Sequence, residues 1–299
     1  MDIFAKLIEE IQRNNESHLK FLTNALIQLT DEEKQDLSFY IVFLIEEGNS
    51  IPYIAECYNT LVNEVVGEQL FFLKYKKYRF SKFSEVESQV YFNNEYMEKY
   101  MIGLGISTFL WPQHMKIRRF FLKNLPCDNN GDYLEIGPGH GFNFMNAMKK
   151  TSYSFFEGVD ISPKSVSLTN KIIKSNFFGK FENFSIFQGD FTKFVPEKRY
   201  DAIVMGEVLE HVEKPELLLE KIHSIANDDS FIFLTTVINA PVIDHIYLFN
   251  SIESIEKIIT DANFKIKQIF LAPAYDKYSI EENLKKKLPI DVAIILYKI

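Results

Sequence analysis

The chain has 299 residues, of which 46% are hydrophobic and 25% charged, and its net charge is −8 with the histidines neutral. This composition suits a globular protein with room for one large or two modest cores, and so acidic a chain excludes a broad basic nucleic-acid footprint. Cys57 and Cys127 fit no metal or redox motif, and no apolar run reaches the roughly 18 residues of a membrane span.

The N-terminal stretch MDIFAKLIEEIQRNN reads as an acidic amphipathic helix without the apolar core of a signal peptide, so a cytoplasmic location is expected. In LTDEEKQDLSFYIVFLIEEG, Thr30 is placed to cap a helix with Glu33 three positions on, and Gly48 to stop it. Pro52 opens a helix whose apolar residues recur at three and four. KYKKYRFSK (74–82) reads as a solvated helix end. NNEYMEKYMIGLGISTFLW forms a further helix with Tyr96 and Tyr100 one turn apart, and Pro112 begins the next.

The polar linker CDNNGD (127–132) divides a helical part, residues 1–126, from residues 127–299, where short apolar runs alternate with amphipathic helices. DYLEIG, YSFFEGVD, FSIFQGD, YDAIVMG and SFIFLTTV are successive strands, which predicts a doubly wound, mostly parallel α/β sheet with helices on both faces. FKIKQIFLA and DVAIILYKI complete seven strands with no convincing helix between them, and the last strand is expected to be antiparallel.

Ligands of such a sheet bind at the carboxyl ends of the strands. After the first comes YLEIGPGHGFNF (133–144), in which Gly137, Gly139 and Gly141 let the backbone take positive φ and lie against something bulky, with phosphate as one possibility. A dinucleotide fingerprint would place its third glycine where Phe142 stands. After the second strand, Asp160 can accept the hydroxyls of a ribose. After the third, Asp190 follows Gly189 and can accept from an exocyclic amine, and after the fourth comes GEVLEHV (206–212).

LEIGPGHG, GVDIS, FQGDF and YDAIVMGEVLEHVEKPELLLEKI together resemble the class I S-adenosylmethionine-dependent methyltransferases, and EVLEHV is similar to their ubiquinone-type and natural-product small-molecule branch. The resemblance implies a Rossmann-like methyltransferase domain, S-adenosylmethionine as cofactor and methyl transfer to a small molecule; the acidic charge and the absence of a long apolar run argue against nucleic acid or membrane as partner. Its cofactor-binding residues would be Glu135, Gly137, Pro138, Gly139, Gly141, Asp160, Ile161, Asp190, Phe191 and Glu207. The glycines would serve the methionine part, Asp160 the ribose, and Asp190 with Phe191 the adenine.

Methyl transfer from a sulfonium needs an aligned acceptor and, for a protic one, a base. His211, His140 and Glu207 are the candidate catalytic groups. Glu207, Glu210, His211 and His245 also supply the ligand types of a divalent ion if E-x-x-E-H forms a helical turn, although a metal-free site is preferred. Tyr91, Tyr96, Tyr100 and His245 are expected to meet the substrate, with Phe109 and Trp111 in the core between the two parts. The long apolar helices leave room for a homodimer. The alternatives are a nicotinamide-dependent oxidoreductase and a non-catalytic cofactor-binding partner protein.

Overall fold

Strand alternation sets the architecture. In the computed structural model, which describes residues 2–175 and 177–299, the strands are β1 (Asp132–Ile136), β2 (Phe155–Asp160), β3 (Phe184–Gln188), β4 (Tyr200–Gly206), β5 (Ala226–Ile238), β6 (Phe264–Pro273) and β7 (Ile290–Lys298). They form one sheet in the order β3-β2-β1-β4-β5-β7-β6. β1 to β5 pair in parallel, and β7 lies antiparallel to both its neighbours, as expected. Strand order reverses between β1 and β4, and a crevice opens at that point in doubly wound sheets.

Seven helices precede the sheet: α1 (Ile3–Asn14), α2 (Leu19–Gln28), α3 (Asp31–Glu46), α4 (Ile51–Tyr75), α5 (Phe83–Val86), α6 (Asn94–Leu110) and α7 (Pro112–Asn124). Between strands lie α8 (Phe142–Lys150), α9 (Pro163–Lys174), α10 (Pro215–Ile225), α11 (Ile252–Asp261) and α12 (Ile280–Lys286). The Thr30–Glu33 capping box forms, and prolines occupy the first turns of α4 and α7. The basic island ends α4, where Lys76 takes a left-handed φ of 57° and Arg79 pairs with Glu68 at 2.9 Å. α12 corrects the expectation of no helix between the last two strands. Its sequence mark is a capping box, Ser279 with Glu282, rather than apolar periodicity.

Tyr133, Ala202, Val204 and Phe233 point to one face of the sheet, and Leu134, Ile203, Met205 and Leu234 to the other. The second face is covered by α10 and α11. The first shares a continuous core with α7 to α9 and with the N-terminal helices. The tilted rings of Phe120 and Phe121 of α7 pack on Phe233 of β5 at 6.3 and 4.8 Å, so this helix is seated on the sheet itself. No helix among the described residues is long and apolar enough to cross a membrane.

Glu135 shares the face of Tyr133, two residues before it. Its carboxyl accepts the Tyr133 hydroxyl at 2.5 Å and the Phe144 N–H in the first turn of α8. That helix begins at Gly141, which offers no capping side chain, so Glu135 satisfies a donor that would otherwise be orphaned. Burial pushes Glu135 up to about 8. Phe142, where a dinucleotide motif would have glycine, fills the core against Tyr40, Phe109 and Phe178 at 5.0, 5.2 and 6.1 Å.

Phe142→Ala should cost about 3–5 kcal/mol in urea unfolding; a loss below about 1 kcal/mol would mean that the cluster closes over the gap. Because Glu135 has a folded pKa above its ordinary 4.5, its contribution is complete below that pH and is lost as pH rises through about 8. Stability should therefore fall between about pH 4.5 and about pH 8, Glu135 contributing at most about 1.4 kcal/mol per pH unit. Thermal melts of Glu135→Gln should show a shallower slope, and an identical slope would rule Glu135 out as a source.

Candidate functional site

A cavity of about 700 Å³ opens at the switch point, between the carboxyl ends of β1, β2, β4 and β5 and helices α4 and α6. On the β1 side, Gly137, Gly139 and Gly141 have φ of 68°, 55° and 84°. A Cβ on Gly137 would come within 2.9 Å of Val208, and one on Gly141 within 2.9 Å of Thr169. The turn is tied down by its own backbone: Gly137 N–H donates to the Val159 carbonyl and Gly141 N–H to that of Pro138, each at 2.8 Å. Gly139 N–H donates to Asp160 Oδ2 at 3.1 Å, and Ser162 N–H to Asp160 Oδ1 at 2.9 Å. Burial raises the Asp160 pKa against those two bonds. Each of its oxygens keeps a further lone pair for a ligand.

Ile161 lines the cavity and accepts from Gln188 Nε2 at 3.3 Å. Asp190 caps the short turn Phe191–Lys193. Its Oδ1 accepts the Thr192 N–H and hydroxyl at 2.9 and 2.6 Å, and its Oδ2 pairs with Lys193 at 2.9 Å. Partial burial pushes Asp190 up, but these bonds outweigh it and hold the carboxylate below its ordinary range. Phe191 is buried at the cavity wall, with the Lys221 ammonium 5.2 Å from its ring centre.

The opposite wall begins at Glu207, which takes a left-handed φ of 53° and donates its N–H to the Thr235 hydroxyl and carbonyl at 3.0 and 3.1 Å. That conformation is costly for a residue with a Cβ and is common at functional sites. A single 3₁₀ turn, Leu209–His211, replaces the helical turn considered for E-x-x-E-H, and Glu207 falls outside it. The two carboxyls meet nonetheless. Glu207 is open to the cavity but walled by protein, and Glu210 is fully buried with Oε2 accepting from Thr236 at 2.8 Å. Burial, then the charge of Glu207, drives Glu210 well above its ordinary pKa, so it keeps a proton and donates it to Glu207.

His211 is fixed by residues far away in sequence. Its Nδ1 lies 2.9 Å from the Tyr91 hydroxyl and 3.1 Å from the Asp244 carbonyl, and Tyr91 donates to Asp244 Oδ2 at 3.0 Å. A carbonyl only accepts, so Nδ1 carries the hydrogen and Nε2 holds a free lone pair. His245 turns Nδ1 to the Ala240 carbonyl at 2.7 Å, and burial pushes its pKa down to about 3. Glu210, His211 and His245 bring one ligand atom each within 4.8 Å of one another, and Glu207 is outside that group.

His140 accepts the Phe142 N–H at Nδ1 (3.2 Å), meets the Thr108 hydroxyl at 3.5 Å and is pushed down to about 4 by burial. Tyr91 and Tyr100 line the cavity, whereas Tyr96 gives its hydroxyl to Glu64 at 2.8 Å. Phe109 is in the core, and Trp111 packs against the same core while also lining the cavity, where it donates to the Tyr58 hydroxyl at 3.1 Å. Sequence reasoning missed Asp244 and Asp291. Asp244 adjoins His245, and Asp291 is a lone charge in an apolar strand, so both left a mark. Burial, then Glu207, holds Asp291 well above its ordinary pKa, and His114 lies 3.7 Å away.

A family profile described as a methyltransferase domain matches residues 113–269. A search of curated protein sequences returns no match. Among solved structures, the N-methyltransferase NodS from Bradyrhizobium japonicum, in complex with S-adenosyl-L-homocysteine, is 13% identical, with 69% of this chain and 97% of NodS covered and a TM-score of 0.51. The [4+2]-cyclase SpnF is 12% identical, with 62% and 80% covered and a TM-score of 0.50. At these identities the likeness is one of fold. The profile spans more than half the chain and includes the glycine turn after β1 and the 206–212 segment after β4, and the chain belongs to the class I S-adenosylmethionine-dependent methyltransferases.

Proposed function

We propose that the protein methylates an oxygen or nitrogen of a small-molecule acceptor, with His211 as general base. One observation carries this reading: the free Nε2 of His211 lines the same cavity as the glycine turn and Asp160. S-adenosylmethionine supplies an activated methyl on a sulfonium, so no nucleophile of the protein is required. Residues 137–141 would lie against its methionine part, in space that side chains would fill. Asp160 would accept from the ribose, with Asp190 and Phe191 at the adenine. Burial raises the Glu207 pKa, the bond from Glu210 opposes that rise, and the carboxyl presents acceptor oxygens at the cavity wall to a cationic ligand.

His211 takes the acceptor proton at Nε2. The imidazolium so formed is stabilised by the Asp244 carboxylate, 3.4 Å from Nδ1. Tyr91 is a positioning residue that ties the two together. His140, with a depressed pKa and Nδ1 already engaged, is the weaker base. Residues 1–126 would select the acceptor through Tyr91 and Tyr100. An oxidoreductase is disfavoured by the antiparallel β7 and by the buried Phe142. A non-catalytic role would leave the oriented His211 without a task.

A divalent ion on Glu210, His211 and His245 is the second reading. It is favoured by the 4.8 Å convergence and by the Nδ1 bonds to backbone carbonyls, which metal-bound imidazoles commonly make. Such an ion would lower the pKa of a bound hydroxyl.

Calorimetry should find S-adenosylhomocysteine binding, weakened in Asp160→Ala by about 1–3 kcal/mol; no heat from folded, ligand-free protein would end the methyltransferase reading. Against a panel of hydroxyl and amine acceptors with labelled cofactor, His211→Ala should lower kcat by about 10²–10⁴-fold and leave S-adenosylhomocysteine affinity intact. An unchanged kcat would remove His211 as base. Chelator-treated protein should keep full activity, and loss restored by Mn²⁺ would favour the metal reading instead.

A further inference from the structure

The cavity extends beyond the cofactor cradle along α4. Val62, Val66, Leu70 and Leu73 line it at spacings of four, four and three that place them on one face of the helix, and Leu61 and Val65 line it beside them. The inner end is packed: Leu61 is 2% exposed and closes on Gly103 of α6. The outer end is open, with Val66, Leu70 and Leu73 exposed by 54%, 63% and 41%. The stripe runs about 18 Å along the helix axis. Phe21 of α2 and Phe83 of α5 line the same cavity. A solvated helix face carries polar residues, and α4 does so at its exposed Asn63 and Lys74. Towards the sheet, the cavity wall becomes acidic and hydrogen-bonding, with Glu207, His211, Asp244 and Tyr91.

We propose that this stripe holds the aliphatic tail of the acceptor, which is therefore a linear amphiphile: an alkyl or acyl chain bearing the hydroxyl or amine that is methylated. The proposal rests on the methyltransferase reading. Continuity decides the occupant. A second copy or a membrane could cover only the exposed outer residues, whereas a chain threaded outward from His211 also lies against half-buried Val65 on the cavity wall. An apolar tail would fill the trough and leave its polar head among the hydrogen-bonding groups at the sheet.

The test is calorimetry with 1-alkylamines from hexyl to dodecyl, in the presence of saturating S-adenosylhomocysteine. Affinity should tighten about fourfold per added methylene, until the tail passes Leu73. Val66→Asp and Leu70→Asp, both at exposed positions that the fold tolerates, should each weaken dodecylamine at least tenfold. Neither should change hexylamine or S-adenosylhomocysteine binding. Affinity independent of chain length, no amine binding at any length, or variants that bind dodecylamine like wild type would each overturn the proposal. So would a wild-type dimer that either variant converts to monomer in sedimentation, or flotation with phosphatidylcholine vesicles that either variant abolishes. Failure of the methyltransferase reading shows separately, as absent S-adenosylhomocysteine binding with the chain-length series still measurable.

Discussion

The bond from Gly139 N–H to Asp160 Oδ2, at 3.1 Å, ties the end of β1 to the end of β2 and holds the glycine turn where a ligand can lie on it. Around that contact the rest is arranged by satisfying donors. Glu135, from beneath, takes the N–H that α8 leaves over, and His140 takes another at Phe142. Glycine backbone that is free to take positive φ would be mobile without such partners. Here carboxylates from two strands and an imidazole from the turn itself hold it still. The turn is therefore a preformed cradle.

The opposing wall depends on charge. Three carboxyls, those of Glu207, Glu210 and Asp291, cannot all ionise so close together away from bulk water. Burial pushes all three up, and the bond from Glu210 opposes the rise at Glu207, the member open to the cavity. The buried oxygen Oε1 of Glu210 lies 3.9 Å from His211 Nε2. His211 then adds the one imidazole whose tautomer leaves a lone pair towards the cavity and whose Nδ1 has a charged neighbour, and that combination separates it from His140 and His245.

Fold and chemistry are separable here. NodS is an N-methyltransferase and SpnF is named as a [4+2]-cyclase, and both share this sheet. What this chain does with its ligands is set by the helices laid over the sheet. Tyr91 reaches His211 and Asp244 from the N-terminal half, and α4 offers a wall of leucine and valine. One side of the cavity is built on strand ends, and the other on helices that precede them.

Local chemistry decided much of this in the sequence alone. Alternating short apolar runs dictate a parallel sheet because each strand must bury both faces. A cavity at the strand ends follows, so the positions of Gly137, Gly139, Gly141 and Asp160 on its wall were legible, as were the capping box at Thr30 and the helix starts at Pro52 and Pro112. Only the tertiary structure decided the rest, because it depends on residues distant in the chain. The partners of His211 lie 120 residues away at Tyr91 and 33 away at Asp244. Glu207 takes a left-handed conformation that nothing in its neighbours' identities demands, and its β4–β5 surroundings hold it there. Trp111 sits between the core and the cavity, its indole N–H satisfied by the buried Tyr58 of α4, 53 residues away in the chain. Spacing along a chain reports which residues share a face; which faces meet across 100 residues or more is settled by packing.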